Sequence, residues 1–149
     1  MKHIKTYSTI ENRKASYDYY IEETLECGIA LRGNEIKSIK AGMGSIKESW
    51  VDIVGNELVI KKFHVTAYDK ANSFDVDENR DKKLLAHKKE IRQLNNKIKQ
   101  DGYTLVPIKV YIKEGKCKVL IGLAKGKHSY DKRETEKKRQ IERDMQRSM

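Results

Sequence analysis

Four histidines and two cysteines are the side chains best able to ligate a metal or attack a substrate. Their spacing opposes both uses. His3, His64, His87 and His128 are scattered, with no H-E-x-x-H pair, and Cys27 and Cys117 lie ninety positions apart, so zinc-ligand spacing is absent. The thiols read as small buried hydrophobes. Gly122-Leu123-Ala124-Lys125-Gly126-Lys127 follows an apolar run and invites comparison with a phosphate-binding loop. That motif needs four residues between its glycines and a Ser or Thr after its lysine. Here three intervene and His128 follows, so Lys125 and Lys127 remain as phosphate contacts without nucleotide hydrolysis. Asp75-Val76-Asp77-Glu78-Asn79 opens like a calcium loop, but Arg80 stands where glycine is required and Ala86 where the bidentate acid belongs. No Ser/His/Asp order is evident. The expectation is no enzyme, no metal and no cofactor.

What remains is charge. Of 149 residues, 32 are Lys or Arg and 22 Asp or Glu, a net +10, and eight are Tyr. Such an excess suits a polyanion, either nucleic acid or an acidic membrane surface. No run approaches the ~20 apolar residues that span a bilayer. Met1-Lys2-His3-Ile4-Lys5 has the charge of a signal peptide's start but lacks its apolar stretch. A reduced, cytoplasmic protein with one core is the reading.

The elements that must carry these residues are mostly strands. Residues 1–11 read as a mobile arm and 12–130 as the folded body. A long strand is expected from Tyr17 to Leu31, with Gly28 marking a bulge or a close approach. Ile36 and Ile39 suit a short helix after Gly33-Asn34. Trp50–Val54 and Glu57–Ile60 flank Gly55-Asn56 as a hairpin. Tyr68–Lys83, rich in Asp, Asn and Lys, reads as a surface loop. Ile91, Leu94 and Ile98 define a helix that Asp101-Gly102 closes. Two strands follow, Tyr103–Lys113 and Cys117–Leu123, joined at Glu114-Gly115, the first at an edge or bulged at Pro107. Residues 131–149 hold net +2 and few apolar residues, so the tail is expected to be disordered alone and ordered on binding. Small antiparallel barrels with a positive face and stacking side chains hold RNA in just this way.

Five stretches share a further property. They are Asn12-Arg13-Lys14-Ala15; Tyr19 to Glu23 with Glu26-Cys27-Gly28-Ile29-Ala30-Leu31; Gly33-Asn34-Glu35-Ile36-Lys37-Ser38-Ile39-Lys40-Ala41-Gly42; Lys83-Leu84-Leu85-Ala86-His87-Lys88-Lys89-Glu90-Ile91; and Gly122–Lys127, with Asp131-Lys132-Arg133 beyond. In this order they resemble the SmpB family, the partners of transfer-messenger RNA (SsrA) in bacterial ribosome rescue, from about Asn12 to the tail.

The resemblance implies a mainly β fold with flanking helices, an OB-fold-like antiparallel β-barrel plus a disordered basic C-terminal tail. It implies binding of the tRNA-like domain of transfer-messenger RNA and its delivery to stalled ribosomes for trans-translation. Glu26, Leu85 and His87 match the family's RNA contacts, with Lys88, Lys125 and Lys127 beside them. His87 departs from the Asn of other members. The resemblance implies a tail that becomes helical in the empty messenger channel. Tyr130, Asp131, Lys132, Arg133, Lys137, Lys138, Arg139 and Arg143 are its expected contacts with the ribosome and its 16S rRNA at the decoding centre. Two rivals stay open: a generic ribosome- or tRNA-binding OB-type protein, and a nucleotide-dependent RNA enzyme using the Gly122–Lys127 loop.

Overall fold

Alternation of apolar and polar residues builds the strands of this computed structural model, which describes residues 9–67, 78–127 and 129–147, with the side chains of 129–131 outside that description. Among the described residues nine strands form: β1 (Ile10–Glu11), β2 (Tyr19–Ile29), β3 (Gly44–Ser45), β4 (Trp50–Val54), β5 (Glu57–Lys61), β6 (His64–Val65), β7 (Lys82–Leu85), β8 (Thr104–Lys113) and β9 (Lys116–Gly126). Four helices interrupt them: α1 (Ala15–Asp18), α2 (Gly33–Lys40), α3 (Lys88–Asp101) and α4 (Ser129–Arg147). The protein is mainly β with helices.

The main sheet is antiparallel in the order β1-β8-β4-β5-β7-β2-β9, and β9 also pairs with β8. The pairing thus returns to a strand it has already used. Inside lie Cys27, Leu58, Ile60, Leu84, Val110, Val119, Ile121 and Leu123, all buried. Helix α2 contributes the fully buried Ile39, and α3 seals another side with Ile91 and Leu94. Gly102 ends α3 in the left-handed conformation at φ 71°, donating its N–H to the Ile98 carbonyl.

The Gly55-Asn56 hairpin and the turn at Glu114-Gly115 form as expected. So does the break at Pro107, where the β8–β9 register shifts between Pro107 and Lys109. Gly28 is a close approach rather than a bulge. The bulge in β2 falls between Ile21 and Glu23.

Three expectations need correction. The long strand does not begin at Tyr17, because α1 takes residues 15–18 and buries Ala15. The arm is shorter than residues 1–11: Ile10 and Glu11 pair with Val110 and Lys109, since the Ile10 side chain has a place in the core. The polar segment from Tyr68 does not run as loop to Lys83. Lys82 starts β7 with its side chain fully buried and its ammonium on the Phe63 and Arg80 carbonyls, while residues 68–77 lie outside the described residues. The tail forms α4, Ser129–Arg147. Its described contacts run to α1 and to Lys127, while its own Ile141 and Met145 are exposed.

Candidate nucleic-acid interface

Period two along β2 turns Cys27 and Ile29 inward and leaves Glu26 outside. Tyr111, on β8, reaches across β9 and donates its hydroxyl hydrogen to Glu26 Oε2, and Lys113 Nζ lies 3.6 Å from the same oxygen. The Tyr111 hydrogen bond, with help from Lys113, holds the Glu26 carboxyl below its ordinary range. Partial burial and the same bond push the Tyr111 hydroxyl up to about 12. Glu26 is therefore a fixed, ionised acceptor on the outer surface.

Leu85 ends β7 on the same side. Its neighbour Leu84 takes the core, and Leu85 is 50% exposed, so packing does not explain it. Gly28 stands opposite Leu85 in the β2–β7 ladder. Extending that register by two residues would set His87 opposite Glu26. There the chain turns into α3, with His87 as its N-cap residue and its N–H donating to Glu90 Oε1 at 3.2 Å. Lys88 and Lys89 follow, exposed at a helix start, where the dipole opposes cations and favours a bound anion. An acceptor, an apolar side chain, an imidazole and two ammonium groups thus lie together along the outer side of the β2–β7 pair and the start of α3. That set can bond base amino groups, pack on a sugar or base, and pair with phosphate.

The lysines of the Gly122–Lys127 loop behave differently from one another. Lys125 is exposed, its ammonium 4.4 Å from the centre of the Tyr103 ring. Glu22 accepts the Tyr103 hydroxyl hydrogen and pushes that group up to about 12. Lys127 turns inward: it donates to the Ser16 carbonyl at 2.9 Å and Thr135 Oγ1 at 2.7 Å, and lies 4.9 Å from the Tyr20 ring centre. It joins α1 to α4.

The tail residues fall into two groups. Lys132 pairs with Asp18 at 3.2 Å, Arg139 donates to Ser16 Oγ at 2.9 Å, and Tyr17 donates to Glu136 at 2.7 Å. Lys137 approaches Glu134 at 3.9 Å within the helix. Arg133, Lys138 and Arg143 are exposed, and the side chains of Tyr130 and Asp131 lie outside the described residues. Sequence reasoning missed Tyr111, Lys113, Tyr17 and Asp18, since nothing local marks a tyrosine that bonds across an intervening strand.

Elsewhere, burial pushes the Cys27 thiol up to about 12 and that of Cys117 to about 11, so neither offers a thiolate near neutrality. Among the described residues, no group of three His, Cys, Asp or Glu is placed to hold a metal ion, and no helix is long and apolar enough to cross a membrane.

The family described as SmpB protein matches residues 9–149. The chain belongs to the SmpB family. Relatives agree over nearly the whole length. It is 48% identical to the SsrA-binding protein of Staphylococcus carnosus over 139 residues, 93% of this chain and 89% of that one. It is 49% identical to the SsrA-binding protein of Lysinibacillus sphaericus over 138 residues, again 93% and 89%. Among solved structures it is similar to a chain described as "tmRNA-SmpB: a journey to the center of the bacterial ribosome", at 45% identity and a TM-score of 0.67, covering 81% of this chain and 85% of that one. The SmpB motifs read in the sequence therefore lie within a match that takes in both the sheet and α4.

Proposed function

We propose that this chain is an RNA-binding adaptor: it binds the tRNA-like domain of transfer-messenger RNA and brings it to stalled ribosomes for trans-translation. The observation that carries this reading is the agreement along almost the entire chain with SsrA-binding proteins. The structural likeness to a chain described as tmRNA-SmpB in the ribosome supports it. The ring of pairings from β8 through β4, β5, β7, β2 and β9 back to β8 supports an OB-type antiparallel barrel as the scaffold. Glu26, Leu85, His87 and Lys88 hold the tRNA-like RNA, with Lys125 at a neighbouring phosphate. Tyr130 and the cations of α4 engage 16S rRNA at the decoding centre and in the messenger channel. The protein works in the cytoplasm and catalyses nothing itself; it positions one RNA against another.

Competition between the tRNA-like domain and bulk tRNA at physiological salt tests this. A clear preference for the tRNA-like domain is expected, and equal affinity would sink the assignment. Glu26→Ala and His87→Ala should each cost about 1–2 kcal/mol of binding, with thermal melting nearly unchanged because both side chains are exposed. Unfolding on either change would make them structural instead.

A further inference from the structure

Residues paired directly across a ladder lie on the same face of a sheet. Glu23 on β2 stands opposite Leu123 on β9, and Leu123 stands opposite Leu105 on β8. Both leucines are 2% exposed, so Glu23 occupies the inward row that Leu25 and Cys27 continue. An acid in such a row needs a polar partner. Lys97 supplies one: reaching over from α3, its ammonium donates to Glu23 Oε1.

Between β2 and that flank of α3 lies a cavity of about 510 Å³, within the range that small organic ligands fill. Its floor is apolar, made by Leu25, Leu94, Leu105, Ile121 and Leu123. Glu90, Gln93 and Lys97, at i, i+3 and i+7 along α3, form one wall, about 10 Å long. The Glu23–Lys97 pair stands at one end of that wall, and the half-buried Glu90 at the other. Glu90 Oε1 accepts the His87 N–H at 3.2 Å, and a carboxylate has room for further donors on its second oxygen.

Charge selects the ligand. The residues lining the cavity bring two carboxylates and one ammonium, the opposite balance to a chain of net +10. Lys97 is engaged by Glu23, so an anionic ligand meets no spare cation on these walls. An ammonium meets Glu90, above an apolar floor where a charge-assisted hydrogen bond is strong. We propose that this cavity binds a small organic amine, its ammonium on Glu90 and its apolar or aromatic body on the leucine floor. The site is separate from the RNA contacts, because Glu26 and Leu85 point out of the sheet and the cavity lies on its inner row.

The probe is 2-(1-naphthyl)ethylamine, titrated into the full chain without RNA and followed by methyl NMR. Saturable shifts of the Leu25, Leu94, Leu105 and Leu123 methyls are expected, with a Kd of about 1 mM or tighter. 1-Naphthylacetate, with the same ring and the opposite charge, should bind at least about tenfold more weakly. Glu90→Gln keeps an acceptor for the His87 N–H and should lower affinity for the amine by about tenfold. Gln93→Glu changes an exposed residue one turn from Glu90 and should raise that affinity several-fold. Because no RNA is present, failure here leaves the adaptor function untouched, and failure of that function leaves this site untouched. Equal binding of amine and acid, shifts confined to other methyls, or parental affinity in both variants would each overturn the proposal.

Discussion

Gly28 on β2 faces Leu85 on β7, and a Cβ added at Gly28 would lie 3.2 Å from the Leu85 Cβ. The glycine is there for space: its backbone needs no left-handed φ, and the missing methyl is what lets Leu85 sit on the outer face. Gly28→Ala should therefore fold but displace Leu85. Affinity for the tRNA-like domain should fall several-fold, and adding Leu85→Ala should cost much less in that background than in the parent. A double-mutant cycle reads the coupling; fully additive losses would separate the two residues.

Tyr111 and Glu26 give a titration signature. The hydrogen bond from Tyr111 lowers the Glu26 pKa, so its contribution to stability is present above the ordinary glutamate range and is lost as pH falls through the lowered value. Tyr111, raised from 10.0 to about 12, contributes stability that is fully present below its ordinary value and is lost as pH rises through about 12. Tyr111→Phe should move the Glu26 carboxyl back up, observable by carbon-detected NMR titration, and should weaken RNA binding by freeing the carboxylate to rotate.

The junction between body and tail rests on small polar contacts. Lys127 is bonded to Ser16 and Thr135, and Tyr17 to Glu136. Lys127→Ala with Tyr17→Phe should speed tryptic cleavage at Lys137 and Lys138, while leaving the melting of the sheet within about 1 kcal/mol of the parent. Cleavage at the parental rate would mean that α4 is held by something else.

Truncation before Glu134 removes Lys137, Lys138, Arg139 and Arg143 but none of the β2–β7 face. Binding of the tRNA-like domain should persist, and rescue of stalled ribosomes in a reconstituted translation assay should be lost. Loss of RNA binding by the truncated chain would contradict a division of labour between sheet and tail.

Lys82 is fully buried, with its ammonium 2.9 Å from the Phe63 carbonyl, 2.8 Å from that of Arg80 and 3.8 Å from Glu35. Lys82→Met preserves the volume and takes the donor away from both carbonyls, while Glu35 keeps the Arg80 guanidinium and the Arg32 N–H, each at 2.7 Å. A loss of about 3 kcal/mol in urea unfolding is expected. A change near zero would show that the arrangement relaxes around the methionine.

The sequence alone determined those elements whose ends and periodicity are written locally. The hairpin at Gly55-Asn56, the helix closed by Gly102 and the strands around Glu114-Gly115 are local matters of turn chemistry and periodicity, and neighbours along the chain decide them. The ordered motifs also carried the family and the candidate contacts Glu26, Leu85 and His87. Only the tertiary structure decided who touches whom. That Leu85 faces out against Gly28, that Tyr111 reaches Glu26 over β9, and that Lys127 turns inward are outcomes of strand register, which joins residues far apart in the chain. The tail shows the same division. Its sequence displays charges with too little apolar surface to order them, and the partners that hold it, Ser16, Tyr17 and Asp18, lie more than a hundred residues away. Burial in the core fixes that register, because slipping it by one residue would turn Cys27 and Leu84 outward and Glu26 and Leu85 into the interior.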